Sequence, residues 1–520
     1  MNPYYKKVTI EPNRYCNPNE LEGYEEVDEI YSNKTAFYPY HDNHNKLLYK
    51  LDNTLSHLNE NKIIAGYNHF KLPYSRLDII NQDFYEKENT WKPLQTTLVS
   101  YWLAKKDFIN TSKSHFYIKD GIIKPLTDYT RSYKDKTLIS NGGFFVTKNL
   151  IYSGNNSKKW ALHNRYIDQE HQLSQDLSPF YGFYYVEDDH GNIYSTFNDS
   201  MGKGYIGIKK DGYTNLLTDL EISSYELRIT GDKLMKIRAI NNANSNLPVS
   251  IFNSNFTTEK TLELRRKIKN SFWYDTSWQN YKEIIKNDRY NIFITNRGEG
   301  DHPAEYIELG FDGYFPVFNF GYIISFDKTF FKENFGEFED FINKNKGHKI
   351  QVIPQSSRIN FGEYKQIYST SVPIISDYKN RFSSELAEEV MEQLDEMNFT
   401  HPSFQLSQES FALSPIIRNP SNILIETESG IGSIIFTGRY EMSIGACLLD
   451  EINLINILNQ KNVFGEPIKN AIKLDGGSGA KVIFLQNQEL FPLNIPAPGI
   501  RNDLGDANSN FYHGLILELK

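Results

Sequence analysis

The stretch AIKLDGGSGAKVIF (Ala471–Phe484) joins two apolar runs through a turn that contains three glycines and one aspartate. The runs AIKL and KVIFLQ predict strands, but an ordinary hairpin needs a connection of only about two residues. Glycines allow positive φ angles and close approach of a ligand, and the N–H groups of Gly476, Gly477 and Ser478 could bind an anion. Asp475 would repel a phosphate, yet it could accept hydrogen bonds from sugar hydroxyls, bind a metal or attack a carbon atom. The turn therefore favours a ligand with both phosphate and polyol groups, and the alternative is a structural turn that Asp475 caps.

Outward from this turn, the chain predicts a mixed protein of helices and strands in which strands dominate. β-Branched and aromatic runs predict strands at TTLVSYWLA, FYGFYYVED, NILIET, GSIIFTG and FYHGLILEL. GYIGIKKDGYTNLL predicts a hairpin with its turn at Asp211-Gly212. Helical spacing of apolar residues predicts helices over residues 257–286 and in FGEFEDFINKNKGHK, SSELAEEVMEQLDEMNF and ACLLDEINLINIL. The predicted fold class is therefore α+β.

The composition excludes several classes of protein. The chain has 520 residues and a net charge of −9, without a cluster of Lys and Arg, so a nucleic acid polymer is not an expected partner. Its two cysteines are too few for a disulfide framework. The first residues lack the apolar core of a secretory signal, and no run approaches the roughly 20 apolar residues that a membrane span needs. We therefore expect a soluble protein without membrane contact, either cytoplasmic or, if phage-encoded, part of the virion.

Two further loops resemble the glycine turn in composition. LISNGGFFV places Asn141-Gly142-Gly143 after an apolar run, which by itself predicts a hairpin turn. FTGRYEMSIGACLLDEI places Arg439 just before a predicted helix, where its planar guanidinium group could bind a phosphate or a carboxylate. Each loop taken singly is a weak signal, whereas their order along the chain is more specific.

In this order, ISNGGFF, GRYEMSIGACLLDEINLI and AIKLDGGSG resemble the phosphodiester glycosidase domain family. TLVSYWLAKKD resembles the first strand of that family, IRAINNANSNLPVSIFNSNF resembles a later segment, and VPIISD resembles the strand before its second half. The resemblance runs from about residue 90 to the C-terminus, with an interruption near 257–360. It implies a strand-rich phosphodiester glycosidase-like domain in two parts (91–256 and 361–520), an N-terminal extension (1–90) and an inserted helical lobe (257–360).

The sequence departs from the family pattern in two places. The family's glycine loop runs Asp-Gly-Gly-Gly-Ser, whereas this chain has DGGSG. The family has Pro-Arg-Thr before the strand that precedes its Gly-Arg turn, whereas here Ser421 follows Pro420 and Arg418 lies upstream. Either Arg418 binds substrate from this shifted position or the contact is lost.

The resemblance implies hydrolysis of a sugar-1-phosphodiester at its C1–O–P linkage, with release of free sugar and a phosphomonoester. Arg439 and the N–H groups of the glycine turn would stabilise the phosphate, and the Asn141 loop would bind a sugar hydroxyl or the phosphate. Asp475 would act as the nucleophile or as the base that activates water, with Glu441 as the second carboxylate. Two carboxylates about 5 Å apart would imply retention of configuration, and about 6.5–9.5 Å would imply inversion.

Other functions stay open at this point. A protein of this fold could bind carbohydrate or nucleotide without cleaving it, for example as a phage virion component. The run RGEGDHPAEY carries side chains that could hold a metal ion, namely Glu299, Asp301, His302 and Glu305, but such acid-rich runs are more often solvated turns. No metal site is therefore predicted, no cofactor is expected, and the expected partner is a carbohydrate phosphodiester substrate.

Overall fold

The computed structural model describes residues 25–26, 44–72, 95–116, 133–143, 183–195, 204–229, 234–242, 245–252, 278–280, 289–299, 302–308, 314–316, 321–345, 349–383, 387–396, 418–438, 443–474, 476, 480–494 and 513–520. These residues include the helices α1 (His44–Glu60), α2 (Lys328–Phe335), α3 (Phe338–Asn345), α4 (Ala387–Glu396) and α5 (Leu448–Gln460). Strands of the first half are β1 (Glu25–Glu26), β2 (Ile64–Leu72), β3 (Gln95–Lys105), β4 (Ile109–Phe116), β5 (Thr137–Asn141), β6 (Tyr184–Glu187), β7 (Ile193–Ser195), β8 (Tyr205–Lys209), β9 (Thr214–Leu217), β10 (Ser224–Arg228), β11 (Leu234–Ile237), β12 (Ala239–Ile240) and β13 (Val249–Phe252). Strands of the second half are β14 (Trp278–Asn280), β15 (Arg289–Glu299), β16 (His302–Glu308), β17 (Tyr314–Pro316), β18 (Gly321–Asp327), β19 (Lys349–Gln355), β20 (Tyr364–Ser369), β21 (Pro373–Ser376), β22 (Lys379–Asn380), β23 (Ser421–Glu426), β24 (Gly430–Phe436), β25 (Asn470–Lys473), β26 (Val482–Gln486), β27 (Glu489–Pro492) and β28 (His513–Leu519).

The glycine turn connects two different sheets. β25, which precedes the turn, belongs to an eight-stranded sheet with the order β1-β2-β3-β24-β23-β25-β21-β22. β26, which follows it, belongs to a five-stranded sheet with the order β27-β26-β5-β28-β4. We call these the first and second sheets. β25 and β26 are therefore not the two strands of a hairpin, and the chain passes from the first sheet to the second between them.

One hydrophobic core lies between the first and second sheets. Leu98, Trp102 and Ile472 of the first sheet share this core with Phe484 and Leu517 of the second. Full burial of one such side chain contributes about 1.5–3 kcal/mol. The core therefore holds the strands on both sides of the glycine turn in place.

Two further sheets extend the molecule. The third sheet has the order β7-β6-β20-β8-β9, and the fourth has the order β11-β10-β19-β16-β15-β18-β13-β12. The fourth sheet has a core of its own, in which Phe331 of α2 and Phe341 of α3 pack against Ile292, Ile324 and Phe326. We refer to the fourth sheet with α2 and α3 as the lobe.

The observed fold is strand-rich α+β, as the sequence predicts. The helices predicted in FGEFEDFINKNKGHK, SSELAEEVMEQLDEMNF and ACLLDEINLINIL are confirmed as α3, α4 and α5. The predicted hairpin is also confirmed, because β8 pairs antiparallel with β9 and Gly212 between them has a φ of 84°.

The predicted helix over residues 257–286 lies largely outside the described residues. Its described part, Trp278–Asn280, is wrong as a helix, because it forms strand β14 and pairs antiparallel with β17. Pairing with a distant strand here overrides the local helical spacing. The lobe sheet draws strands from 224–252 as well as from 289–355, and the domain boundaries derived from the sequence stay a prediction.

Candidate functional site

The segment Arg418–Asn422 contacts residues that flank all three predicted loops, and Asn422 connects two of them. Its side-chain amide donates to Asn141 Oδ1 at 2.7 Å and to Ser140 Oγ at 3.0 Å. Its main-chain carbonyl accepts from the N–H of Leu474, the residue before Asp475, at 2.9 Å. Because Asn422 is fully buried, it links the ends of the Asn141 loop and the glycine turn inside the protein.

The third loop, which carries Arg439 and Glu441, approaches the same segment. Asn419 and Ala446 exchange main-chain hydrogen bonds at 3.1 and 2.9 Å. Ser443 Oγ donates to the carbonyl of Thr437 and accepts from the N–H of Leu98 at 2.8 Å. The two ends of this loop are thereby bonded to each other and to β3.

Two glycines permit these close approaches. Gly445 has a φ of +92°, and a Cβ there would lie 2.4 Å from the carbonyl carbon of Asn419. A Cβ on Gly476 would lie 3.0 Å from the carbonyl oxygen of Pro420. A larger residue at either position would push the loop away from the 418–422 segment.

Asn141 ends β5 with its side chain held in one orientation. The amide oxygen accepts from the N–H of Lys481 at 3.1 Å as well as from Asn422, and the main-chain N–H donates to the carbonyl of Lys481 at 2.9 Å. The side-chain nitrogen lies 3.4 Å from the carbonyl oxygen of Gly142. Asn141 is 4% exposed, so its carboxamide is held inside the protein at the strand end, and its contact with substrate stays a prediction.

Helix α5 begins with two buried carboxylates, and the first pairs with Arg418. The Nε and Nη2 atoms of Arg418 lie 2.6 and 3.0 Å from the carboxylate oxygens of Asp450. The N–H of Cys447 also donates to Asp450 at 3.0 Å, which caps the helix. The Arg418 side chain is therefore 1% exposed and is paired with Asp450. Its predicted contact with substrate stays a prediction.

The second carboxylate, Glu451, pairs with Lys473. The ammonium group of Lys473 donates to Glu451 and, at 2.7 Å, to Ser421 Oγ. Both charged side chains are almost fully buried. This contact places a paired cation two residues before Asp475, so α5 supports the strand that leads into the glycine turn.

The two carboxylates differ in their acidity. Burial by itself would raise the pKa of Asp450, but the Arg418 guanidinium and the bonds from Cys447 outweigh burial and hold that pKa below its usual range. Burial is the largest influence on Glu451 and raises its pKa, although the Lys473 ammonium group opposes that shift. Asp450 is therefore the more firmly ionised of the two.

The structure brings together part of the predicted site. Five predicted site residues are described, namely Asn141, Gly142, Gly143, Arg418 and Gly476. Arg418 belongs to the 418–422 segment, and Asn141 and Gly476 contact it. The remaining predicted site residues lie outside the described residues, namely Asp475, Glu441, Arg439, Gly477 and Ser478. Their described neighbours in the chain, including Leu474 and Gly476, border the same segment.

Several polar residues of this region escaped prediction from the sequence. Asn422 and Lys473 lie in otherwise apolar strands, NILIE and AIKL, and a lone polar residue in such a run is the signal that could have indicated them. Asp450 and Glu451 were part of a predicted helix, but their buried partners come from distant parts of the chain. Local spacing does not reveal such pairing.

No group of three or more His, Cys, Asp or Glu side chains among the described residues could hold a metal ion. The side chains of the RGEGDHPAEY run are not among those described. A search of the described helices finds none with the length and apolar character to cross a membrane.

No model of a protein family matches the chain, and no curated protein matches it in sequence. Among solved structures, a hypothetical protein from Synechocystis is 12% identical with a TM-score of 0.38, over 87% of this chain and 62% of that one. A predicted exported protein from Burkholderia pseudomallei K96243 is 10% identical with a TM-score of 0.32, over 84% of this chain and 79% of that one. The chain thus spans 62% of the length of the Synechocystis protein.

A third solved structure is the catalytic domain of zebrafish N-acetylglucosamine-1-phosphodiester alpha-N-acetylglucosaminidase, auto-inhibited by its pro-peptide. It is 9% identical with a TM-score of 0.33, over 99% of this chain and 97% of that one. The chain is distantly similar in structure to a phosphodiester glycosidase.

Proposed function

We propose that this protein is a hydrolase that cleaves the C1–O–P linkage of a sugar-1-phosphodiester. Water adds its hydroxyl group to the anomeric carbon and gives its proton to a base, the C1–O bond breaks, and the phosphomonoester leaves with the oxygen and the bonding electron pair. A phosphate monoester is a good leaving group, so the site needs charge stabilisation at phosphate more than a strong general acid.

The observation that carries this proposal is the contact of one buried segment, 418–422, with residues flanking all three loops. A site for a sugar phosphodiester needs a phosphate-binding group, a carboxylate near C1 and a group that binds sugar hydroxyls. The three loops carry these groups as Arg439, Asp475 and Asn141. Loops with a shared anchor can present their side chains to one ligand.

In the proposed reaction, Arg439 and the N–H groups of residues 476–478 bind the phosphate. Asp475 acts on the anomeric carbon as nucleophile, or on water as general base, and Glu441 is the second carboxylate. The Asn141 loop, including Gly142 and Gly143, binds the substrate. Arg418, which is paired with Asp450, contributes directly only if the substrate reaches it.

The test is hydrolysis of methyl phosphodiesters of glucose-1-phosphate and N-acetylglucosamine-1-phosphate in both anomeric forms, followed by ³¹P NMR. The wild-type protein should release methyl phosphate from at least one compound, and Asp475→Asn should lower kcat by about 100-fold or more. Asp211→Asn is the matched control, since Asp211 lies exposed in the β8–β9 turn. Turnover by Asp475→Asn near the wild-type rate would refute the catalytic role, and tight binding without product would favour a binding module.

A further inference from the structure

A cavity of about 600 Å³ lies where the lobe meets the third sheet. The strands β10 and β19 of the lobe form one wall, and β6, β7 and the 356–362 loop form the other. The two sheets are joined beside it by Gln351 Nε2, which donates to Asn192 Oδ1 at 3.0 Å. The volume falls within the range of about 300–1,000 Å³ that is typical of small-molecule sites.

The register of β10 and β19 determines which side chains face the cavity. Glu226 lies opposite Ile353, and Ser224 lies opposite Gln355, so these side chains share one face of the strand pair. The intervening residues, including Leu227, belong to the other face and pack in the lobe core. The cavity is therefore lined by the face of the lobe sheet that its own helices leave uncovered.

Polar groups of the lining are available to a ligand. Among the described residues, the side chains of Glu226, Gln355 and Ser357 make no hydrogen bond or ion pair, and all three line the cavity. The other charged lining groups have partners, because Glu187 pairs with Lys210 and Arg358 pairs with Glu221. A carboxylate, a carboxamide and a hydroxyl together both donate and accept hydrogen bonds.

The rest of the lining is apolar. Ile193 and Ile359 are half-buried beside the buried ring of Phe361. This ring packs against that of Tyr185 with their centroids 5.1 Å apart, which holds it in place. A ligand that fits such walls needs an apolar face and hydroxyl groups around its edge, which is the chemistry of a pyranose ring.

The charge of the lining selects against anions. Two carboxylates, Glu187 and Glu226, face the cavity against a single guanidinium group, that of Arg358. A phosphate group would therefore be repelled here, in contrast to the site proposed around Arg439. We propose that this cavity is a second ligand site, which binds a neutral saccharide.

The cavity is distinct from the proposed catalytic site. β20 begins just after the lining residue Gly362 and ends at Ser369, whose carbonyl oxygen would lie 2.7 Å from a Cβ on Gly143. Five residue steps along a strand span roughly 17 Å. The saccharide site thus lies at the opposite end of β20 from the Asn141 loop, and it does not depend on the proposed hydrolase activity.

The test is calorimetric titration of the Asp475→Asn protein with cellotriose, maltotriose, N,N′,N″-triacetylchitotriose, glucose-1-phosphate and spermidine. We expect at least one neutral trisaccharide to bind, and Glu226→Gln to weaken that binding by about 10-fold through the loss of a charged hydrogen-bond acceptor. Ser357→Trp, at an exposed loop position, should place a large ring in the cavity and weaken binding. Glu333→Gln, an exposed site on α2 with the same charge change, should leave it unchanged.

Binding of none of the neutral trisaccharides would overturn this inference, as would binding that Glu226→Gln and Ser357→Trp leave intact. Binding of spermidine alone would show a site for cations instead. We expect Glu226→Gln to hydrolyse sugar-1-phosphodiesters at the wild-type rate. The experiment can therefore refute the saccharide site without refuting the proposed activity, and the reverse.

Discussion

Arg418 and Asp450 form an ion pair that is almost completely withdrawn from water. Withdrawal of two charges from water is costly, and their attraction offsets that cost only with good geometry. Here two guanidinium nitrogens bind the carboxylate, and the same carboxylate caps α5. The lowered pKa of Asp450 means that its stabilising effect is present above the unfolded-state pKa near 3.8 and is lost as the pH falls through the lower folded-state value.

We expect Arg418→Met to lower the free energy of unfolding by about 3–5 kcal/mol, because it leaves the Asp450 carboxylate buried and unpaired. Adding Asp450→Asn to this variant should recover part of the loss, since the neutral side chain can still cap α5. Urea denaturation provides the measurement, with Lys365→Met as the control in an exposed pair with Asp189. A loss for Arg418→Met no larger than that of the control would contradict a structural role for the pair.

For single residues, the sequence indicated which positions to consider, but it did not indicate which residues they contact. Asn141 was singled out because it precedes two glycines after an apolar run, and the structure shows its amide bonded inside the protein at the end of β5. Its contact with Asn422 joins residues 281 positions apart in the chain, and that pairing depends on strand order rather than on local spacing. Lys473 and Glu451 lie 22 positions apart, and their pairing depends on how α5 packs against β25.

The connection after β25 shows that the local sequence pattern predicts the strands but not which strands pair. Both flanking strands follow from their apolar residues, but β26 pairs with β5 and β27 and not with β25. The choice of partner is set by the shared core of the first and second sheets. A sequence pattern predicts that strands exist more readily than it predicts which strands meet.

A substitution at Gly445 tests how the third loop is attached to the 418–422 segment. Its φ of +92° is unfavourable for other residues, and a Cβ would lie 2.4 Å from the Asn419 main chain. Gly465 has a φ of +77° but nothing within 4 Å of its Cβ position. We expect Gly465→Ala to cost about 1–3 kcal/mol from backbone strain alone, and Gly445→Ala to cost more because the loop must also move.

Thermal or urea unfolding of the two alanine variants measures this difference. Equal losses of stability would show that the close approach of Gly445 to Asn419 is unimportant. A larger loss in Gly445→Ala would support the contact that ties the third loop to the 418–422 segment.

For the whole molecule, Glu426 connects the first sheet to the third. Its carboxylate accepts from the N–H of Leu216 in β9 at 3.0 Å and from Asn470 Nδ2 in β25 at 2.9 Å. Burial raises the pKa of Glu426, and the bonds from Asn470 and Leu216 only partly oppose this. Because the folded-state pKa lies above the unfolded value, the contribution to stability is greatest below the unfolded pKa and is lost as the pH rises through the folded pKa.

We therefore expect the wild-type protein to lose more unfolding free energy than Glu426→Gln does as the pH rises from the unfolded-state pKa near 4.5 through the raised folded-state pKa. Glutamine can still accept from Leu216 but does not titrate, so the difference between the two curves isolates this carboxyl group. Denaturant unfolding at a series of pH values provides the measurement, with the exposed Glu333→Gln as the control. Parallel curves for wild type and Glu426→Gln would be inconsistent with the raised pKa.

The lobe is the part of the molecule that the sequence predicted least well. The helix of 338–345 was predicted from its apolar spacing, but the eight-stranded sheet beneath it combines strands from 224–252 and 289–355. Its cavity against the third sheet depends on which face of β10 and β19 remains uncovered. That property follows from packing between sheets and has no local sequence signal.

The most direct measurement of the central claim is a crystal structure of the Asp475→Asn protein soaked with a sugar-1-phosphate. We predict that the phosphate contacts the Arg439 guanidinium and the N–H groups of the glycine turn, with residue 475 facing C1 and the Asn141 loop beside the sugar. A structure in which the side chains at 141, 439 and 475 lie on separate faces of the molecule, with the sugar phosphate bound elsewhere, would contradict the account.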